Sequence, residues 1–159
     1  MLGIEVELLT GRGHDAAHFE ATLNGLERRS QDMQPAMEAI YKSFKATERG
    51  FFSSNNGGQW SPLTAKYLQR KARKGLDLRT ERATGELYAA LGMGAGPGAV
   101  HEVDRDGITM GTNLRKAVYA QRSTQNHRRR RRLVAADAVR RKKWIGIVRA
   151  YLIEAQAGG

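Results

Sequence analysis

Val100-His101-Glu102-Val103-Asp104-Arg105-Asp106-Gly107-Ile108-Thr109-Met110-Gly111-Thr112 is the stretch that decides the fold. Val100–Asp104 and Ile108–Thr112 are short runs that suit strands, and Arg105-Asp106-Gly107 between them reads as a turn. Asp-Gly supplies the positive φ angles that tight hairpin turns demand, so the segment predicts an antiparallel hairpin. Downstream, Asn113–Lys116 reads as a further turn and Ala117–Ala120 as a short third strand, making a meander. Upstream, Gly92–Gly98 holds four glycines and a proline in seven residues and reads as a flexible connector.

Further out, the pattern changes to helical. Thr80 or Thr84 opens a short helix carrying Leu87, Tyr88 and Leu91. Ser61-Pro62 reads as N-cap and first residue of a helix with Leu63, Tyr67 and Leu68, closed near Lys74 by Gly75. Ser53–Gly58 is a loop by composition. Met33, Met37, Ile40, Tyr41 and Phe44 follow i, i+4, i+7, i+8 and i+11, an apolar helical stripe, with Pro35 in its first turn and Asp32 as its cap. Asp15 caps an earlier helix to about Arg29, with Phe19, Leu23 and Leu26 on one face. Ile4, Val6 and Leu8 alternate with Glu5 and Glu7, which predicts an opening strand. A last helix runs from about Ala135 to Ala157 and buries Val139, Trp144, Ile147, Val148 and Tyr151. The expectation is one α+β domain over residues 1–159: a small antiparallel sheet of N-terminal strand and meander, packed with amphipathic helices, and a long C-terminal helix. Its flexible loops fall near residues 53–58, 92–98 and 121–132.

Charge is distributed very unevenly. Arg115–Arg149 holds 13 of the 27 Lys and Arg but a single acid, Asp137, a net +12. The remaining 124 residues carry 14 basic and 15 acidic side chains. An isolated fold gains nothing from such self-repulsion, so the block implies a polyanion or an acidic protein surface as partner. Within it, Arg128, Arg129, Arg130, Arg131 and Arg132 form one run, and Arg140, Arg141, Lys142 and Lys143 another. These nine residues are the candidate contacts. Arginine forks bind phosphate bidentately, but no aromatic residue interleaves with the first run, so contact with nucleic acid would be to backbone and not to base.

The sequence makes no positive case for an enzyme. His14 and His18 stand four apart, yet no His-Glu-x-x-His pattern or third ligand accompanies them. Neither Gly11-Arg12-Gly13 nor the Gly92–Gly98 run has the Lys-Ser/Thr of a phosphate loop, and no nucleophile elbow frames Ser53 or Ser61. No catalytic, metal or cofactor site is expected, and no small-molecule substrate. The chain has no cysteine. Met1–Gly11 lacks the features of a signal peptide, and no stretch nears the roughly 20 apolar residues of a membrane span, so a soluble protein made in the cytoplasm is expected.

Several segments, in order, resemble the virion morphogenesis or tail completion family of tailed bacteriophages. They are the helix Met37-Glu38-Ala39-Ile40-Tyr41-Lys42-Ser43-Phe44, the element Gly57-Gly58-Gln59-Trp60-Ser61-Pro62-Leu63 and the sequence Thr84-Gly85-Glu86-Leu87. Then follow Ile108-Thr109-Met110-Gly111-Thr112-Asn113, Val118-Tyr119-Ala120 and Arg132-Leu133-Val134-Ala135-Ala136-Asp137. The resemblance spans about residues 35–157. It departs from the family at Gln121-Arg122-Ser123-Thr124-Gln125, where a His-Gln-x-Gly sequence is common, and at the arginine run, where a proline is common.

The resemblance implies a non-enzymatic structural protein of the virion head–tail junction, a tail terminator, tail completion or neck component. It implies a homo-oligomeric ring, expected to be a hexamer, that assembles in the host cytoplasm beside connector and tail-tube proteins. The basic block would face packaged DNA or an acidic neighbouring ring. Met37, Ile40, Phe44, Trp60, Leu87 and Tyr119 are expected in the core or at an interface. The alternative is a sequence-independent nucleic-acid-binding protein acting through its arginines.

Overall fold

The structure, a computed structural model, describes residues 16–55, 60, 62–121, 133–134 and 136–153. The expected opening strand, the Asp15 cap, the His14 and His127 side chains and Arg128–Arg132 lie outside the described residues. The chain is α+β. Helices α1 (Ala16–Gln31), α2 (Gln34–Ser54) and α3 (Ala65–Arg73) precede a short α4 (Glu86–Tyr88) that runs into a π-helical turn, Ala89–Met93. Strands β1 (Ala99–Val103) and β2 (Ile108–Thr112) follow, then α5 (Arg115–Gln121) and α6 (Ala138–Ile153).

Helix α2 is the central element. Pro35 sits in its first turn, and Asp32 accepts the Gln34 N–H at 3.1 Å, although the N-cap position itself belongs to Met33. The helix continues through Ser53 and Ser54, where composition predicted a loop. Both serine hydroxyls bond back to the Gly50 carbonyl, at 3.0 and 2.7 Å, and so do not compete with the helix. Phe52 anchors the last turn, its ring edge-on to Trp60 and Tyr88 at 5.5 Å each. Asn55 then ends the helix in the left-handed region at φ 51°, a conformation asparagine tolerates.

The hairpin has the expected strands, with Ala99 opposite Thr112 and Val103 opposite Ile108. The turn differs from expectation. Four residues close it, with the Asp104 N–H donating to the Gly107 carbonyl at 2.9 Å, and Gly107 is not among the positive-φ residues. A four-residue loop reverses the chain without the left-handed pair that a two-residue turn requires.

The Gly92–Gly98 run is a built turn, not an irregular connector. Gly92 and Met93 are helical, and Gly94 caps them at φ 67°. The Asn113 N–H donates to the Gly98 carbonyl at 3.0 Å, tying the run to the end of β2. A Cβ at Gly94 would overlap the Tyr41 hydroxyl, so only glycine lets this turn lie against α2.

Three other expectations are corrected. Helix α3 starts at Ala65, not Pro62, because the Thr64 hydroxyl accepts the Tyr67 N–H at 3.3 Å and makes the cap. Gly85, at φ 76°, occupies the N-cap of α4 in place of Thr80 or Thr84. Residues 117–120 are helical. Thr112 turns the chain by accepting the Leu114 N–H at 3.2 Å, and Ala117 and Ala120 pack on the core at the i, i+3 spacing of a helix face. The sheet among the described residues is therefore the two-stranded hairpin alone.

The core gathers Tyr41, Phe44, Phe52, Trp60, Leu87, Leu91 and Leu133. Helix α6 lies along α2, and its inner side carries Arg140, Trp144, Ile147, Val148 and Tyr151. The Tyr151 hydroxyl donates to the Asp32 carbonyl at 2.8 Å, so the C-terminal end of α6 meets the start of α2. The Met33 N–H donates to the Arg105 carbonyl at 2.7 Å, which brings the hairpin tip to the same corner.

Candidate functional site

Asp137, just before helix α6, caps it: its carboxylate accepts the Arg140 N–H at 2.8 Å and its carbonyl accepts the Arg141 N–H at 2.9 Å. The cap fixes the rotation of the helix and so decides which of its cations face out. Arg140 faces in. Its side chain is 7% exposed, its Nη1 donates to Glu48 Oε1 at 3.1 Å, and its guanidinium lies 4.5 Å from the centre of the Phe51 ring. Glu48 is fully buried on α2, and burial pushes its carboxyl up to about 7 against the opposing pull of Arg140. Glu48 Oε2 and Arg140 Nε have no hydrogen-bond partner among the described residues. Arg140 is thus a structural cation, and its expected role as an outward contact is corrected.

Arg141, Lys142 and Lys143 are exposed. The exposed side of the helix also carries apolar groups: Val139 is 79% exposed, Ile145 51% and Ile153 56%. Val139, expected inside, points away from the core because it follows the cap by two positions while Arg140 takes the inward one. Val139, Lys142, Gly146, Arg149 and Ile153 fall at i, i+3, i+7, i+10 and i+14, one outward stripe along α6. A Cβ at Gly146 would meet nothing within 4 Å among the described residues, so no contact among them requires this glycine. A glycine inside a helix costs about 1 kcal/mol relative to alanine.

Of the residues expected in the core or at an interface, Ile40, Phe44, Trp60 and Leu87 are buried and Met37 is half-buried. Tyr119 is 73% exposed and does not belong to the core. It lies on the outer side of α5, opposite Ala117 and Ala120, because the segment is a helix and not a strand.

A separate cluster joins α2 to β1. The His101 ring stacks on Tyr41 with centroids 3.7 Å apart, and His101 Nε2 lies 3.4 Å from Glu38 Oε2. Among the described residues no three His, Asp or Glu side chains come together as a metal site would require, and no helix is long and apolar enough to cross a membrane.

Sequence reasoning missed Glu48, whose pairing with Arg140 across 92 positions has no local signal. It also missed the outward stripe on α6. The available signal was the presence of apolar residues on both sides of that helix. Comparisons with protein-family models, with curated proteins and with solved structures find no match.

Proposed function

We propose that the protein is a non-catalytic assembly subunit that docks on a protein partner through the outward stripe of α6. The observation that carries this reading is the mixture on that stripe. Exposed Val139 and Ile153 stand at its two ends, with Lys142 and Arg149 between them on either side of the bare backbone of Gly146. A phosphate backbone offers nothing for valine or isoleucine to pack against, whereas protein interfaces combine apolar groups with arginine.

Charge favours a second copy of the chain as one occupant. Asp32, Glu102, Asp104 and Asp106 are all exposed, and hydrogen bonds at Met33 and Tyr151 gather their segments at the corner where the hairpin tip meets the start of α2. The basic end of α6 lies by Glu48, fifteen residues along α2 from Met33, or about 22 Å by helical rise. The acidic corner lies by the C-terminal end of α6 and the basic residues by its N-terminal end, so copies joined through the two would meet head to tail, the arrangement that closes into rings. The resemblance to tail completion proteins supports placing such a ring at a phage head–tail junction, beside connector and tail-tube proteins and around packaged DNA.

The test is the mass of the purified chain in solution as concentration rises. A discrete oligomer whose stability falls with salt supports the reading, and a monomer at every concentration contradicts it. The second reading, direct and sequence-independent nucleic-acid binding through the arginines, loses Arg140 to the core but keeps Arg141, Lys142 and Lys143.

A further inference from the structure

An open groove of about 510 Å³ runs along a different side of α2 from the one that meets α6, lined by Glu38, Ala39, Tyr41, Lys42, Lys45 and Arg49. Helix α6 packs against Glu48 and Phe51, whereas Lys45 and Arg49 lie beside the Gly92–Gly94 turn. We propose that Lys42, Lys45 and Arg49 form a contact for the phosphate backbone of a nucleic acid, separate from the basic block near the C-terminus.

Three features support it. The cations fall at i, i+3 and i+7, so their rows lie about 4.5 and 6 Å apart along the helix and span about 10 Å. With α2 laid parallel to the axis of a B-form duplex, that span covers about three phosphates of one strand, one per about 3.4 Å of axis. The stems are held in place. A Cβ at Gly92 would come within 3.1 Å of Arg49 Cγ, and one at Gly94 within 2.9 Å of Lys45 Cδ. Lys45 Nζ also lies 4.5 Å from the centre of the Tyr41 ring, itself stacked on His101. Finally, the groove differs in chemistry from the α6 stripe. Among the described residues that line it there is no exposed large apolar side chain, and Tyr41 is buried. A purely cationic row suits phosphates, which fix position without requiring apolar contact. Glu38, the one carboxylate among the described residues that line the groove, lies at its end beside His101.

The experiment is binding of the full chain to a random-sequence DNA duplex, at protein concentrations below self-association, over a range of salt. Each phosphate neutralised contributes about 0.9 to the slope of log K against log salt. Lys42→Gln, Lys45→Gln and Arg49→Gln together should flatten that slope by about 2.7. An equal charge change on α3, Lys66→Gln, Arg70→Gln and Arg73→Gln, should flatten it by less than about 1. Lys42→Gln alone, at an exposed position, should remove about 0.9 and keeps the test valid if the triple variant unfolds. Equal flattening by the two triples overturns the proposal, as does an unchanged slope in the groove variants. Polyglutamate, bound in place of DNA, separates the partner classes. If the groove triple weakens its binding as much as it weakens DNA binding, the groove serves an acidic protein and the proposal fails. Self-association through α6 is read independently of this slope.

Discussion

Glu48 and Arg140, 92 residues apart in the chain, meet across the α2–α6 contact, with Nη1 3.1 Å from Oε1. Truncating one member of a buried pair leaves the other charge uncompensated, at a cost of about 3–5 kcal/mol. Arg140→Ala should therefore be strongly destabilising, while Arg141→Ala, one residue on and exposed, should stay within about 0.5 kcal/mol of the parent. Replacing both partners, as Glu48→Leu with Arg140→Met, should recover most of the loss. Denaturant midpoints of the four proteins check this, and equal effects at positions 140 and 141 would contradict the inward placement of Arg140.

The same pair sets a pH dependence. Glu48 has a folded-state pKa raised to about 7, above its ordinary 4.5, because burial outweighs the pull of Arg140. The folded state then holds the proton more tightly than the unfolded chain. The contribution of Glu48 to stability is fully present below about 4.5 and is lost as pH rises toward about 7. Asp77, held down to about 2 chiefly by the Arg79 side chain, acts with opposite sign in a lower window, its contribution lost only as pH falls from the ordinary carboxylate range toward about 2. Melting temperature should thus fall between about pH 5 and pH 7, and Glu48→Gln should flatten that decline. A parent whose stability rises through this window would sink the assignment.

Phe52 closes the end of α2 against Trp60 and Tyr88. Phe52→Ala should cost about 3–5 kcal/mol by leaving a cavity. Tyr119→Ala should change stability by no more than about 0.5 kcal/mol, since that ring stands in solvent. Urea unfolding of the two variants discriminates core from surface.

Gly146 separates folding from docking. Gly146→Ala adds a methyl group where none of the described residues lies within 4 Å, so the isolated chain should gain up to about 1 kcal/mol. The same methyl would hold a partner off the α6 backbone and weaken self-association. A variant that melts higher and associates less supports a docking role, and one that associates as tightly as the parent counts against it.

The elements legible in the sequence were those carried by local patterns. The Met33–Phe44 stripe marked the buried side of α2, and the two strands of the hairpin fell where their residues placed them. What failed was decided by tertiary contact. Ser53 and Ser54 read as loop until Phe52 is seen anchoring their turn. Val118 and Tyr119 suit a strand by propensity, yet Ala117 and Ala120 reach the core only from a helix. The basic block looked uniform because nothing near Arg140 in sequence marks it as the partner of Glu48. The cap at Asp137 rotates one cation inward and leaves its neighbours out.

Sedimentation velocity of the purified parent beside Val139→Asp with Ile153→Asp tests the central claim most directly. Both residues are exposed, so the double variant should fold and melt like the parent. The account predicts that the parent sediments as a discrete oligomer at high concentration and that the variant remains a monomer. A parent that stays monomeric throughout, or a variant that assembles as the parent does, would contradict it.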